Sequence, residues 1–139
     1  KEVNSVLTYV PPRSKEPGLL SYLKAGVVKM AFKTGIRRSI LLSRFDTEAQ
    51  KVAQRYKGAD DGYLFAFATR PDKQGQNYGK PLINALLRYL DATGQGCYLE
   101  TLKPENVGLY EHFSFRLMEQ TVIRPCNLTM FAMYRPKSK

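Results

Sequence analysis

Apolar positions along the chain recur with a period of either two or close to 3.6, and the order of these stretches predicts an α/β arrangement. Val3–Tyr9 alternates, is rich in β-formers and is closed by Pro11 and Pro12, which predicts a strand. Gly18–Thr34 places Leu19, Leu20, Leu23, Val27, Met30 and Ala31 at helical spacing and meets Gly35 as a stop. A second helical stretch covers about Ile36–Tyr56. It is expected to break near Arg44–Asp46, with Thr47 capping the piece Glu48–Tyr56.

Gly62–Thr69 is apolar on both faces, the pattern of a strand covered on both sides, so it is expected at the centre of a sheet. A polar segment, Arg70–Gly79, follows. An amphipathic helix then runs to about Ala92, with Leu82, Ile83, Leu86, Leu87 and Leu90 on its inner face and Pro81 in its first turn. Gly94 and Gly96 bracket the turn into a strand at Cys97–Thr101, and Pro104–His112 makes a short helix. Two last strands, Phe115–Ile123 and Leu128–Tyr134, are joined through Pro125 and Asn127. From Gly62 the order is strand, helix, strand, helix, strand, strand.

The 139 residues fit one domain spanning 1–139, with a tail at 136–139. At 43% hydrophobic residues there is enough apolar material for a core, which excludes wholesale disorder. No apolar run approaches the roughly 18–20 residues that cross a bilayer, so no membrane partner is expected. Two cysteines, Cys97 and Cys126, make neither a disulfide framework nor a zinc site, and a single histidine, His112, excludes a multi-histidine metal centre. The expectation is a cytoplasmic protein without a metal.

Charge adds a further constraint. Lys plus Arg total 22 against 12 Asp plus Glu, a net +10. Residues 1–60 hold 12 basic and 5 acidic side chains, while residues 61–139 hold 10 and 7. A positive surface attracts any anion, whether nucleic acid, acidic lipid or a phosphate-bearing cofactor. The basic residues are dispersed and no aromatic ribonucleoprotein motif, zinc finger or basic zipper is present, so nucleic acid is not the expected partner.

The junction from strand to helix at Thr69–Leu82 carries the most chemistry. Gln74, Gly75, Gln76, Asn77, Tyr78 and Gly79 lie where the N–H groups of a helix start are unsatisfied and the macrodipole is positive. A phosphate can approach such a backbone closely, and Lys73 and Lys80 add charge. The same composition also suits an ordinary polar loop. The Gly-Lys-Ser/Thr ending of a Walker loop is missing.

Taken with Thr69-Arg70-Pro71, Tyr98-Leu99-Glu100-Thr101, Asn106, Tyr110, Phe113 and Phe115, this loop resembles the GNAT family of acetyl-CoA-dependent N-acetyltransferases. The family's phosphate loop, Gln/Arg-x-x-Gly-x-Gly/Ala, is met by Gln74 to Gly79, and its Asn, Tyr and Gly-Phe block by Asn106, Tyr110, Ser114 and Phe115. The Leu-Glu-Thr lead-in and the closing Met133-Tyr134-Arg135 look like the branch that includes puromycin N-acetyltransferase. The resemblance departs where Asn77 and Ser114 replace family glycines. It also implies that the family's opening strand, two helices and strand lie before this chain begins, so that the chain is a C-terminal portion or a shortened member.

The resemblance implies a mixed, largely antiparallel sheet flanked by helices. It implies acetyl-CoA as co-substrate, an amine acceptor and a monomer or homodimer. The backbone of Phe67, Ala68 and Thr69 would pair with the pantetheine arm, and N–H groups of Gln74–Lys80 would cradle the pyrophosphate. Asn106 would hydrogen-bond the pantetheine, and Tyr110 would stand near the thioester sulfur as proton donor. Glu100 is the candidate base or amine anchor, on the same strand face as Tyr98, and Asp61 is the poorer candidate. A carboxylate satisfied by local backbone or an arginine would look the same, and the alternatives are a domain that binds CoA without turnover or a basic nucleic-acid-binding module. His112 is expected to be exposed, and Cys97 and Cys126 to be buried small apolar residues. The basic residues Lys24, Lys29, Lys33, Arg37, Arg38 and Arg44 read as a solvated face.

Overall fold

A computed structural model describes residues 2–14, 36–124 and 126–138, and side chains from residue 44 onward in the first helix. The helix expected over Gly18–Thr34, Pro125, and the side chains of Arg37 and Arg38 lie outside the described residues. The elements are β1 (Ser5–Val10), α1 (Ile36–Tyr56), β2 (Gly62–Thr69), α2 (Lys80–Thr93), β3 (Cys97–Thr101), α3 (Glu105–His112), β4 (Arg116–Ile123) and β5 (Leu128–Arg135). A 3₁₀ turn at Pro71–Lys73 stands between β2 and α2.

The five strands form one sheet in the order β1-β2-β3-β5-β4. Only β2 and β3 run parallel, and the other three neighbouring pairs are antiparallel. The sheet is therefore mixed and largely antiparallel, as expected. The crossover through α2 is what allows a parallel pair, since a hairpin cannot join parallel strands.

Each face of the sheet has its own core. On one face Ile83, Leu86 and Leu90 of α2 and Tyr110 of α3 pack on Leu64, Cys97, Leu99 and Met133, with Phe115 filling the end. On the other, Ala49 and Val52 of α1 pack with Tyr98, Ile123, Met130 and Ala132. The alternation of β3 makes this division, with Cys97 and Leu99 on the α2 face and Tyr98 on the α1 face. Each large apolar side chain fully buried this way contributes about 1.5–3 kcal/mol.

Two expectations are corrected. The helix Ile36–Tyr56 is continuous, so Thr47 lies inside α1 and not at a helix start. Phe45, Ala49, Val52, Ala53 and Tyr56 all meet one core, and that unbroken stripe holds the helix through Arg44–Asp46. The strand Gly62–Thr69 forms with the expected bounds, but β3 takes the centre of the sheet and β2 is covered incompletely. Phe65 is 64% exposed and Ala68 is exposed as well. The cause is a bulge: Thr8 pairs with Ala66 and Tyr9 with Leu64, so Phe65 has no partner in β1. Leu64 and Phe67 consequently both join the α2 core.

Candidate active site

The parallel pair β2–β3 closes over only two rungs, Gly62 with Cys97 and Tyr63 with Tyr98. Beyond Tyr63 the strand continues to Thr69, and beyond Tyr98 the other continues to Thr101, with no rung between them. The sheet therefore carries an internal strand edge, whose backbone groups are available to a ligand lying between the strands.

The polar loop sits at the open end of that gap. Gly75 (φ 74°) and Asn77 (φ 63°) both take left-handed backbone. Asparagine enters that region more readily than most residues, so Asn77 keeps a turn that glycine would otherwise supply. The side chains of Gln74 and Gln76 fold back onto their own loop, donating to the Thr69 carbonyl (3.2 Å) and the Asp72 carbonyl (3.0 Å). Among the described residues the N–H groups of Gly75 through Gly79 donate to no protein acceptor. They precede the first turn of α2, whose N-cap is Gly79. A Cβ at Gly79 would lie 2.7 Å from Phe67 Cζ, so the loop packs onto β2 through that missing side chain. Free N–H groups at a helix N-terminus are an anion cradle.

Glu100 lies two residues past Tyr98, the last β3 residue that pairs with β2, and so shares its α1 face. Its Oε1 accepts a hydrogen bond from the Tyr63 hydroxyl across the gap. Among the described residues the Tyr98 hydroxyl and Glu100 Oε2 are both buried without a hydrogen-bond partner. Burial raises the Glu100 carboxyl, the bond from Tyr63 and the nearby Tyr98 hydroxyl oppose that rise, and Asp46 adds to it. Burial and the Glu100 charge likewise raise the phenols of Tyr63 and Tyr98. Sequence reasoning put Glu100 on the face of Tyr98 but missed Tyr63, which stands 37 residues earlier.

Tyr110 occupies the opposite face. It is 6% exposed, stacks edge-on against Phe115 at 5.8 Å between ring centres, and its hydroxyl makes no hydrogen bond among the described residues. Burial raises its phenol. Asn106 donates to Thr101 Oγ1 at 3.2 Å, which ties the first turn of α3 to the end of β3 beside the gap. Ser114 takes φ 66°, so it keeps the turn a glycine would make, with Phe115 N–H donating to the Tyr110 carbonyl at 3.1 Å. The gap thus has Glu100 toward α1 and Tyr110 toward α2 and α3, with the loop at its open end.

Other candidates lie elsewhere. Asp61 Oδ2 accepts from the Gly58 N–H at 2.7 Å, closing the turn at the paired end of β2. His112 is exposed beside Phe113. Cys97 is fully buried and its thiol is pushed up to about 12 by burial, while Cys126 is only half-buried, short of the expected burial. Arg44 is exposed, as a solvated face requires. Among the described residues no three His, Cys, Asp or Glu side chains gather as metal ligands, and no helix is long and apolar enough to cross a membrane.

A profile of the acetyltransferase (GNAT) family matches residues 39–115, more than half of the chain. The chain belongs to the GNAT family. Among solved structures it is similar to ribosomal-protein-S18-alanine N-acetyltransferase from Escherichia coli, with 25% identity and a TM-score of 0.52 over 59% of this chain and 57% of that one. Ard1 from Thermoplasma volcanium matches at 15% identity and a TM-score of 0.51 over 60% of both chains. A nourseothricin acetyltransferase matches at 15% identity and a TM-score of 0.50, over 60% of this chain and 54% of that one. At 15% identity these last two show the GNAT fold alone. The chain spans a little over half the length of the structures it matches. No curated protein sequence matches it.

Proposed function

We propose that this GNAT protein is an acetyl-CoA-dependent N-acetyltransferase that passes the acetyl group directly from the CoA thioester to a primary amine. The observation that carries the reading is the internal edge between β2 and β3, open on one side to Glu100 and bounded on the other by Tyr110. The backbone of Phe67, Ala68 and Thr69 pairs with the pantetheine amides as a short added strand. The N–H groups of Gly75 through Gly79 hold the pyrophosphate, while those of Gln74 and Lys80, expected in the cradle, donate instead to the Pro71 and Asn77 carbonyls; Asn106 supports the pantetheine from the other bank. The residues fit the group because the donors from Gly75 to Gly79 are uncommitted among the described residues.

The chain's own groups then divide the work. Glu100 takes a proton from the amine, aided by a carboxyl raised toward the working pH. A backbone N–H of β2 near the bulge stabilises the oxyanion that develops as the amine attacks. Tyr110 returns a proton to the departing thiolate from the α3 side. The net reaction converts amine and acetyl-CoA to amide and free CoA thiol. Holding both reactants in one gap supplies much of the acceleration. Leu99-Glu100-Thr101 and Met133-Tyr134-Arg135 support the puromycin N-acetyltransferase branch, and a CoA donor beside free cysteines fits the cytoplasm.

The test follows thiol release from acetyl-CoA against a panel of primary amines. Glu100→Gln is expected to lower kcat by about 100-fold and Tyr110→Phe by about 10- to 100-fold. Unchanged turnover in either variant would remove that residue from the mechanism. CoA binding with no turnover on any amine would leave a binding domain instead.

A further inference from the structure

The α1 side of the gap has a character opposite to the rest of the molecule. In a chain of net charge +10, the Asp46 charge acts on both Glu100 and Tyr63 and raises them. Asp46 is exposed and, among the described residues, bonds only to Gln50, at 2.9 Å. Among the same residues Glu100 Oε2 and the Tyr98 hydroxyl are buried and meet no hydrogen-bond partner. Both are groups that a bound N–H donor would satisfy. Beside them stands Phe65, a ring 64% exposed on an interior strand and set edge-on to Tyr63 at 5.8 Å. The bulge puts it there.

Resting on the acetyltransferase reading, we infer that Glu100 Oε2, the Tyr98 hydroxyl, Asp46 and Phe65 form the acceptor subsite, and that its substrate is a cationic primary amine bearing an apolar substituent. The ammonium meets Glu100 and Tyr98 at the buried end. Asp46 supplies a second negative charge toward solvent, which excludes amines carrying a carboxylate nearby. The Phe65 ring covers the apolar substituent, and its ring face also attracts the ammonium. Before attack the ammonium releases one proton to solvent, leaving a neutral amine beside the Glu100 carboxylate. The nitrogen lone pair then forms the amide bond as the C–S bond breaks, the Glu100 carboxylate takes the second nitrogen proton, and the departing thiolate takes its proton from Tyr110.

Three probes separate the features: hexylamine, ethanolamine and γ-aminobutyrate. Each is titrated into the CoA-loaded protein by calorimetry, and steady-state KM and kcat are measured with acetyl-CoA. Hexylamine is expected to give a KM about tenfold below that of ethanolamine, and γ-aminobutyrate the highest. Phe65→Ala should erase the KM advantage of hexylamine over ethanolamine. Asp46→Asn should lower the KM for γ-aminobutyrate relative to hexylamine by about 3- to 10-fold. Folding of each variant is checked by its retained CoA affinity. Equal KM values for the three amines, or preferences unchanged in both variants, would overturn the subsite. Saturable amine binding with no acetylation would uphold the subsite and sink the acetyltransferase reading. Acetylation without these preferences would do the reverse.

Discussion

At the scale of single residues, two positions show how the family pattern survives substitution. Asn77 and Ser114 stand in left-handed backbone where the family motif has glycine. The motif spacing made that conformation legible. Serine meets more steric cost there than asparagine, so Ser114→Gly should raise stability by about 0.5–1 kcal/mol, read as an increased urea midpoint at constant slope. Glu100 gives a prediction with a definite sign. Its folded carboxyl lies above the ordinary value, so the native state holds this proton more tightly than the unfolded chain. That contribution is fully present below the unfolded value and is lost as pH rises through the folded one. Glu100→Gln should therefore flatten the fall in stability over that acidic window, measured by denaturation at stepped pH. A difference profile, wild type minus Glu100→Gln, that rises through the same window would contradict the burial of this carboxyl. The Tyr63–Glu100 bond was not legible, because nothing in sequence sets the register of two parallel strands that pair over only two rungs.

Secondary elements were legible wherever a period and a stop signal coincided. α2 runs from Lys80 to Thr93 between Gly79 and a left-handed Gly94, as its apolar spacing and flanking glycines predict. β3 has the expected bounds for the same reason. α1 departs from expectation at Arg44–Asp46: Thr47 offers a cap there, but the stripe from Phe45 to Tyr56 packed on one core carries the helix through. The bulge at Phe65 was invisible, since a run apolar on both faces does not reveal which face a ring takes. Packing makes two predictions. Ile83→Ala, fully buried against the sheet, should cost about 2–5 kcal/mol in chemical denaturation. Gly62→Ala would drive a Cβ into the Tyr9 ring and should cost about 1–3 kcal/mol, whereas Gly108→Ala, with open space around it, should cost nothing by this route.

The whole molecule is a sheet pulled open between its two parallel strands, with a separate core on each face. Helices α2 and α3 cover the face that carries Tyr110, and α1 covers the face that carries Tyr63 and Glu100. The α/β order and the loop's chemistry could be read from sequence, because strand, loop and helix follow one another along the chain. The division of Glu100 and Tyr110 between opposite faces could not, because it depends on which helices cover which side. The net +10 charge favours a phosphate-bearing partner, so its binding should weaken as salt rises. The central claim is that the gap and its loop hold CoA. Calorimetric titration of the protein with acetyl-CoA tests it most directly, repeated on Gly79→Val, whose side chain would intrude on Phe67. The account predicts one saturable site of about micromolar Kd, weakened about tenfold or more in the variant while its circular dichroism is unchanged. Absence of saturable binding by the unaltered protein, or equal affinity in the variant, would contradict it.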